Sequence, residues 1–290
     1  MNNDLLTLAK RAARDAGQII LEALDQPREP DFKGQTDLVT ETDRQAEEII
    51  ISLINNAFPD HAILAEESGS HGNQSEYQWV IDPLDGTTNF VHGYPSFAVS
   101  IACLINSVPE VAVVLELPAN RLFTATHGGG AFVDGVPIRV SKNTQLNRSL
   151  LVTGFGYEHG KKWEANMSLF KLFTDKTQGV RRLGAAAIDL CHVACGIVDG
   201  FWEFDLHPWD TAAGILIVSE SGGKVSQMDG NQYNIHKNHI LAKNKISIKN
   251  LIQVPDKKNK RASIAIITHK SLEKNFNNLL IILFSNISSV

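Results

Sequence analysis

Between residues 62 and 140 the chain carries six short apolar runs, at 62–65, 78–81, 97–105, 111–117, 121–126 and 136–140, each bounded by Gly, Pro, Asn or Asp. Runs of this length, punctuated this way, read as strands. Two longer amphipathic segments precede them. Leu5, Leu8, Ala9, Ala12, Ala16, Ile19, Ile20 and Ala23 recur at three- to four-residue spacing, which predicts a helix over 4–24 that ends before Pro27 and Pro30. The stretch 26–36 reads as a loop. Thr40 with Asp43 three residues on resembles a capping box, opening a helix that runs through Ile49, Ile50, Ile51, Leu53 and Ile54 to Ala57. Val111–Leu117 and Arg121–Thr126 alternate around Pro118-Ala119-Asn120, a hairpin pattern, and Gly128-Gly129-Gly130 is a tight turn. Later the chain alternates, predicting helices at 161–175, 185–197 and 209–221 and strands at 179–183, 200–204, 224–228 and 239–242. The pattern implies an α/β protein of two sheet-and-helix halves, 1–148 and 149–251, with a cleft between them.

Composition closes off other classes. A 290-residue chain is long enough to bury a core without disulfide staples. A net charge of −5 disfavours a general nucleic-acid binder. Cys103, Cys191 and Cys195 show no C-x-x-C spacing and read as buried small hydrophobes. Lys10, Arg11, Arg14 and Asp15 interrupt the N-terminus, so it does not read as a signal peptide, and no apolar stretch is long enough for a membrane helix. A reducing, cytoplasmic setting is expected. Residues 252–290 differ in character, with six basic residues against Asp256 and Glu273 and an apolar stripe at Leu272, Phe276, Leu279, Leu280 and Leu283. They read as an appended basic and apolar tail.

The chemistry concentrates in carboxylates. The run Trp79-Val80-Ile81 leads directly into Asp82, and Pro83 and Gly86 then turn the chain so that Asp82 and Asp85 face one side. Gly86 and Thr87 present backbone N–H groups beside them, a ready anion site. Glu66-Glu67 follows the strand at 62–65, and Asp210 sits in the first turn of the helix Trp209-Asp210-Thr211-Ala212-Ala213-Gly214. Any one of these acids alone would be a cap or turn residue. Several together at ~4 Å repel by about 4 kcal/mol per pair at an effective dielectric near 20. Hard divalent cations resolve that repulsion, and oxygen-only donors point to Mg²⁺ or Mn²⁺ rather than Zn²⁺. Such metals beside an anion nest suggest phosphoryl chemistry with water as nucleophile. No cysteine-nucleophile signature, P-loop or G-x-S-x-G elbow offers another route.

These residues resemble the inositol monophosphatase family. Asp82-Pro-Leu-Asp85-Gly-Thr-Thr-Asn-Phe90 is similar to its first signature and Trp209-Asp210-Thr-Ala-Ala-Gly214 to its second. Asp37-Leu-Val-Thr-Glu-Thr-Asp43, Ala65-Glu66-Glu67-Ser68 and Gly184-Ala-Ala-Ala187 extend the likeness over residues 4–250. The resemblance implies a layered αβαβα sandwich, a homodimer, and Mg²⁺-dependent hydrolysis of a phosphomonoester. It implies that Glu66, Asp82 and the Leu84 carbonyl hold one metal and that Asp82, Asp85 and Asp210 hold a second, with a third, weaker metal near Glu66. By the same resemblance Thr87, bonded to Asp43, would orient the attacking water with Glu66, the Gly86 and Thr87 amides would hold phosphate, and Glu203 would bind substrate hydroxyls beside the Ala186 backbone. Lys33 matches a loop lysine of the family, with phosphate contact and solvation as its two readings. His207 is expected to be structural, Trp209 a packing wedge, Arg181-Arg182 a solvated or ion-paired strand end, and Glu67 a supporting or surface residue. Thr88 and Glu203 favour inositol 1-phosphate over histidinol phosphate or fructose 1,6-bisphosphate. Some family members also serve RNA-processing or transcription complexes, a second class of role.

Overall fold

The computed structural model describes residues 2–26, 30–32, 38–157 and 159–244. The helices are α1 (Asn2–Ala23), α2 (Glu41–Ala57), α3 (Thr87–His92), α4 (Lys161–Lys176), α5 (Ala186–Ala194) and α6 (Pro208–Glu220). The first strands are β1 (Asp31–Phe32), β2 (Leu38–Val39), β3 (Ala62–Ala65), β4 (Gly69–His71), β5 (Tyr77–Asp85), β6 (Phe97–Ile105), β7 (Val108–Leu117), β8 (Arg121–Thr126), β9 (Gly130–Val133) and β10 (Val136–Pro137). After a 3₁₀ turn at Leu146–Arg148 come β11 (Leu150–Thr153), β12 (Gly179–Arg181), β13 (Gly200–Phe204), β14 (Lys224–Ser226) and β15 (His239–Lys243).

An eight-stranded sheet runs in the order β10-β9-β8-β7-β6-β5-β3-β4, and a five-stranded sheet in the order β12-β11-β13-β15-β14. Both faces of the large sheet are covered, which is why its strands read as continuous apolar runs rather than alternating ones. Trp79, Ile81, Val99, Ile101, Val113 and Leu115 form one face, packed with Leu5, Ala9, Ala12, Ala16 and Ile20 of α1 and Ala46, Ile50 and Ile54 of α2. Their strand neighbours Val80, Ala98, Ala102, Ala112 and Val114 point the other way, onto α5 and α6. Those two helices also contact the five-stranded sheet, whose other side carries α4 through Leu169 and Phe173 against Leu151 and Trp202. The chain is therefore a layered αβαβα sandwich. α5 and α6 approach closely because Gly214 faces Leu190, where a methyl group would overlap that side chain.

Several local expectations change. The loop at 26–36 contributes β1, paired antiparallel with β2. β4 carries no apolar pattern, β9 and β11 are short apolar runs that add to the expected strands, and the run at 136–140 shortens to β10. Most relevant to chemistry, β5 does not end at residue 81. It continues to Asp85 through a β-bulge, where Asp82 pairs with Ser100 and Asp85 with Ala98. Lys33, Asp37 and the 252–290 tail lie outside the described residues.

Candidate active site

In an unbroken strand Asp82 and Asp85, three residues apart, would face opposite sides of the sheet. The bulge adds one residue to β5 and restores a common face. Pro83, which has no N–H for the ladder, occupies the bulge. The Leu84 amide donates to Asp82 Oδ1 at 3.1 Å, fixing the turn of that carboxylate. Gly86 follows with φ of +92°, and a Cβ there would lie 2.9 Å from the Ser96 carbonyl. Only glycine fits this junction without strain, and it lets the strand break directly into α3.

Asp43 stands in the first turn of α2. It accepts from the Thr40 amide at 2.7 Å and the Thr40 hydroxyl at 2.5 Å, and from Thr87 Oγ1 at 2.9 Å. The expected link between Thr87 and Asp43 is thus present, with the Leu84 carbonyl a second acceptor for Thr87 Oγ1 at 3.1 Å. A single hydroxyl proton directed at these acceptors leaves the Thr87 lone pairs as its free hydrogen-bonding capacity. Glu66 follows β3, its amide bonded to the Ile81 carbonyl of the neighbouring strand at 3.1 Å. The Glu67 and Ser68 amides donate to the two carboxylate oxygens of Glu47, each at 2.8 Å. Glu47 is therefore the residue that shapes the Glu66 segment. It was not foreseen, although its position one helical turn after Asp43 puts both acids on one face of α2.

The second half supplies the other wall. Asp85 accepts from the Ala186 amide at 3.2 Å and the Ala187 amide at 2.7 Å, both at the start of α5. The Ala186 amide is thereby committed to Asp85. Asp210 Oδ2 accepts from the His207 amide at 2.6 Å at the start of α6. Glu203, on β13, is buried, and Gly154 closes against its carboxylate so tightly that a Cβ there would overlap it. Asn89 staples the halves, its Nδ2 lying 2.6 Å from the Ser96 carbonyl, 2.8 Å from that of Leu183 and 3.3 Å from that of Gly184.

The acids share one electrostatic neighbourhood. Burial, then repulsion from Glu66, Asp85 and Asp210, holds Asp82 well above the usual carboxylate range. Burial and Asp210 raise Asp85 despite its two amide donors, and burial with Asp210 and Asp85 raises Glu203. Among the described residues no three His, Cys, Asp or Glu side chains stand in ready coordination geometry. The donor set nevertheless suits a hard divalent cation: oxygen ligands only, and the dominant charges around Asp82 all acidic.

The residues expected to be structural behave variously. His207 precedes α6, its ring stacked on Trp209 at 4.9 Å, and Trp209 packs against the core between the sheets. Arg181 is exposed and bonds a neighbouring carbonyl. Arg182 is exposed too, and its charge opposes the upward shifts of Glu203 and Asp189, which leaves the expected solvated or ion-paired strand end in place. Cys103 and Cys191 are buried and unpaired.

The sequence profile described as the inositol monophosphatase family matches residues 1–265. The chain belongs to the inositol monophosphatase family. It is 50% identical over 247 residues to the chloroplastic phosphatase IMPL1 of Arabidopsis thaliana, covering 83% of this chain and 67% of that protein. It is 48% identical over 241 residues to an inositol-1-monophosphatase of Synechocystis, with 82% and 84% covered. The Nus factor SuhB of Pseudomonas aeruginosa is 44% identical over 258 residues, with 86% and 94% covered. The solved structure of an inositol monophosphatase from Anabaena superposes with a TM-score of 0.77 at 44% identity, covering 85% of this chain and 92% of that one. As a family member the chain is a phosphoric monoester hydrolase. Among its described residues no helix is long and apolar enough to cross a membrane.

Proposed function

We propose that this phosphatase hydrolyses a polyol phosphomonoester, myo-inositol 1-phosphate, with Mg²⁺ held by Glu66, Asp82, the Leu84 carbonyl, Asp85 and Asp210. The observation that carries the reading is the gathering of Asp82, Asp85, Glu66 and Asp210 into one mutually repelling cluster of oxygen donors. When bound, the cation supplies charge neutralisation at the phosphate and leaving oxygens and acidifies a water molecule. Thr87 directs its proton to Asp43 and Leu84, so its oxygen accepts a hydrogen bond from the attacking water and holds it in line, with Glu66 as the second contact. The amides of Gly86 and Thr87, which open α3, bind the phosphate oxygens. Glu203 accepts hydrogen bonds from substrate hydroxyls, and a carboxylate there opposes substrates with a second phosphate, such as fructose 1,6-bisphosphate.

The experiment is a phosphate-release panel over inositol 1-phosphate, histidinol phosphate, fructose 1,6-bisphosphate and an aryl phosphate, with Mg²⁺ or with excess chelator. Full turnover in chelator defeats the metal assignment, and preference for histidinol phosphate defeats the polyol assignment. The halves 1–148 and 149–251, each built around one sheet, with 252–290 as an appendage, form part of the same reading. So does a cytoplasmic homodimer, supported by the unpaired thiols and by exposed apolar Tyr157 and Met167, and tested by light scattering. A second role is favoured by the bacterial relatives named Nus factor SuhB. Copurification with RNA polymerase complexes tests it.

A further inference from the structure

Glu66 stands on the connection 66–68 between β3 and β4. Every amide of that connection is committed. The Glu66 amide donates to the Ile81 carbonyl at 3.1 Å, and those of Glu67 and Ser68 donate to separate carboxylate oxygens of Glu47, each at 2.8 Å. Glu47 lies one helical turn after Asp43 on α2, and the two are 3% and 1% exposed. Two acids at this spacing share one face of a helix, where like charges oppose its formation, and burial is costly unless donors supply their oxygens. Both are supplied, but from different parts of the site. Asp43 takes the Thr87 hydroxyl on Oδ1 at 2.9 Å and the Thr40 amide and hydroxyl on Oδ2. Glu47 takes the turn that carries Glu66. One turn of α2 therefore reaches both groups assigned to the attacking water.

We propose that Glu47 is a positioning residue which, together with Asp43, makes one turn of α2 the ruler between Thr87 and Glu66. Asp43 sets the Thr87 hydroxyl directly. Glu47 sets Glu66 through the main chain, by fixing the turn from which that side chain leaves. A helix suits this task because the spacing of its i and i+4 side chains is held by its own backbone bonds. In-line attack tolerates little error, since a misplacement of about 1 Å costs on the order of a hundredfold in rate. The proposal rests on the reading of Thr87 and Glu66 as the pair that holds the water.

The test compares Glu47→Gln with Glu47→Asp. Glutamine keeps the length but sets its own N–H donors against one of the two main-chain donors, so one bond is lost. Aspartate keeps both acceptors on a stem one methylene shorter. Hydrogen exchange at amides 67 and 68 is measured without substrate. Steady-state kinetics follow with inositol 1-phosphate and with an aryl phosphate at saturating Mg²⁺. In Glu47→Gln at least one of the two amides exchanges about tenfold faster. Its kcat falls about tenfold while KM changes less than about twofold, alike for both esters because the water is common to them. In the Thr87→Ala background the same change costs less than about threefold further, the non-additivity expected of residues that act on one water. Glu47→Asp loses at least as much kcat as Glu47→Gln. A wild-type kcat in Glu47→Gln, a fall confined to KM or to one ester, or full additivity with Thr87→Ala would overturn the proposal. A wild-type kcat in Glu47→Asp also overturns it, because charge rather than reach then matters, and this arm decides if the glutamine variant does not fold. Unchanged exchange at both amides refutes the hold on the turn itself. If the wild type hydrolyses neither ester, the functional reading fails and the water-holding role with it, while exchange still decides whether Glu47 holds the turn.

Discussion

Gly154→Ala offers a way to move Glu203 without altering its chemistry. Gly154 follows β11, and its backbone is not in the left-handed region, so alanine fits its conformation. Its carbonyl accepts from Asn166 Nδ2 at 2.5 Å, which anchors the main chain. A methyl group built there overlaps both carboxylate oxygens of Glu203. Ordinary van der Waals separation then requires the carboxylate to retreat by about 1 Å. The displaced atoms are the far end of a flexible side chain, so the loss of stability stays within the ~1–3 kcal/mol typical of overpacking. The functional loss is larger in relative terms. A charge-assisted hydrogen bond to a hydroxyl contributes roughly 1.5–3 kcal/mol, and about 1.4 kcal/mol is a decade in kcat/KM. Hydrolysis of inositol 1-phosphate therefore falls about ten- to a hundredfold, as for Glu203→Gln, while an aryl phosphate with no hydroxyls to bind falls far less. The assay is kcat/KM for both esters at saturating Mg²⁺ with a melting curve for each variant. If Gly154→Ala leaves the ratio of the two substrates unchanged while Glu203→Gln collapses it, the packing argument is wrong. If both variants lower the two esters in parallel, Glu203 serves the metal site or the fold.

Thr87→Ala lowers kcat more than it raises KM, because it deletes the hydroxyl proposed to position water and keeps the amides proposed to bind phosphate, and Thr87→Ser restores most of the rate. A change confined to KM moves Thr87 to phosphate binding alone. Gly86→Ala destabilises by about 1–3 kcal/mol, since it combines a positive φ with a Cβ 2.9 Å from the Ser96 carbonyl. A denaturant midpoint equal to wild type would contradict that geometry. The pH dependence without metal follows from Asp82, Asp85 and Glu203, which burial and neighbouring acids hold above the usual range. Between the unfolded carboxylate value of about 4 and the raised folded values the native state binds more protons than the unfolded chain, so these groups lower stability as pH rises. Mg²⁺ at about a hundredfold its Kd restores roughly 2.7 kcal/mol at neutral pH. Melts across this range in chelator and in Mg²⁺ that superimpose would refute the clustering of the acids.

The legible part of the fold is the part with a clean period. α1, α2 and the long strands β6, β7 and β8 announce themselves because one helical stripe or one unbroken apolar run is buried in each. β4, Gly69–His71, is held by pairing with β3 rather than by apolar burial, so no pattern marks it. The acids were legible by type and order, since oxygen donors in quantity favour a hard cation where they meet. What the sequence could not display is how they meet. A turn after residue 81 and a bulge within β5 both place Asp82 and Asp85 on one side, and only the pairing with Ser100 and Ala98 distinguishes them. Glu47 and Asn89 escaped for a related reason: each acts through neighbours twenty or more positions away, and that leaves no local signature.

The same long-range contacts decide why this site belongs to the whole sandwich and to neither sheet alone. The large sheet supplies Asp82 and Asp85, but the amides that anchor Asp85 belong to Ala186 and Ala187 at the opening of α5. The Leu183-Gly184 backbone that precedes α5 is held in turn by Asn89 from α3, whose own start is fixed by Gly86. Asp210 arrives on α6, which packs on α5 through the close approach of Gly214 to Leu190, and Glu203 arrives on β13. A shift between the halves would separate Asp85 from its donors and at the same time change its distance to Asp210. The repulsion that invites a cation and the docking that opposes this repulsion are therefore coupled through one residue. Binding of the cation should tighten the junction of the two sheets, and loss of the junction should weaken the cation, because thermodynamic linkage makes the two effects equal in size.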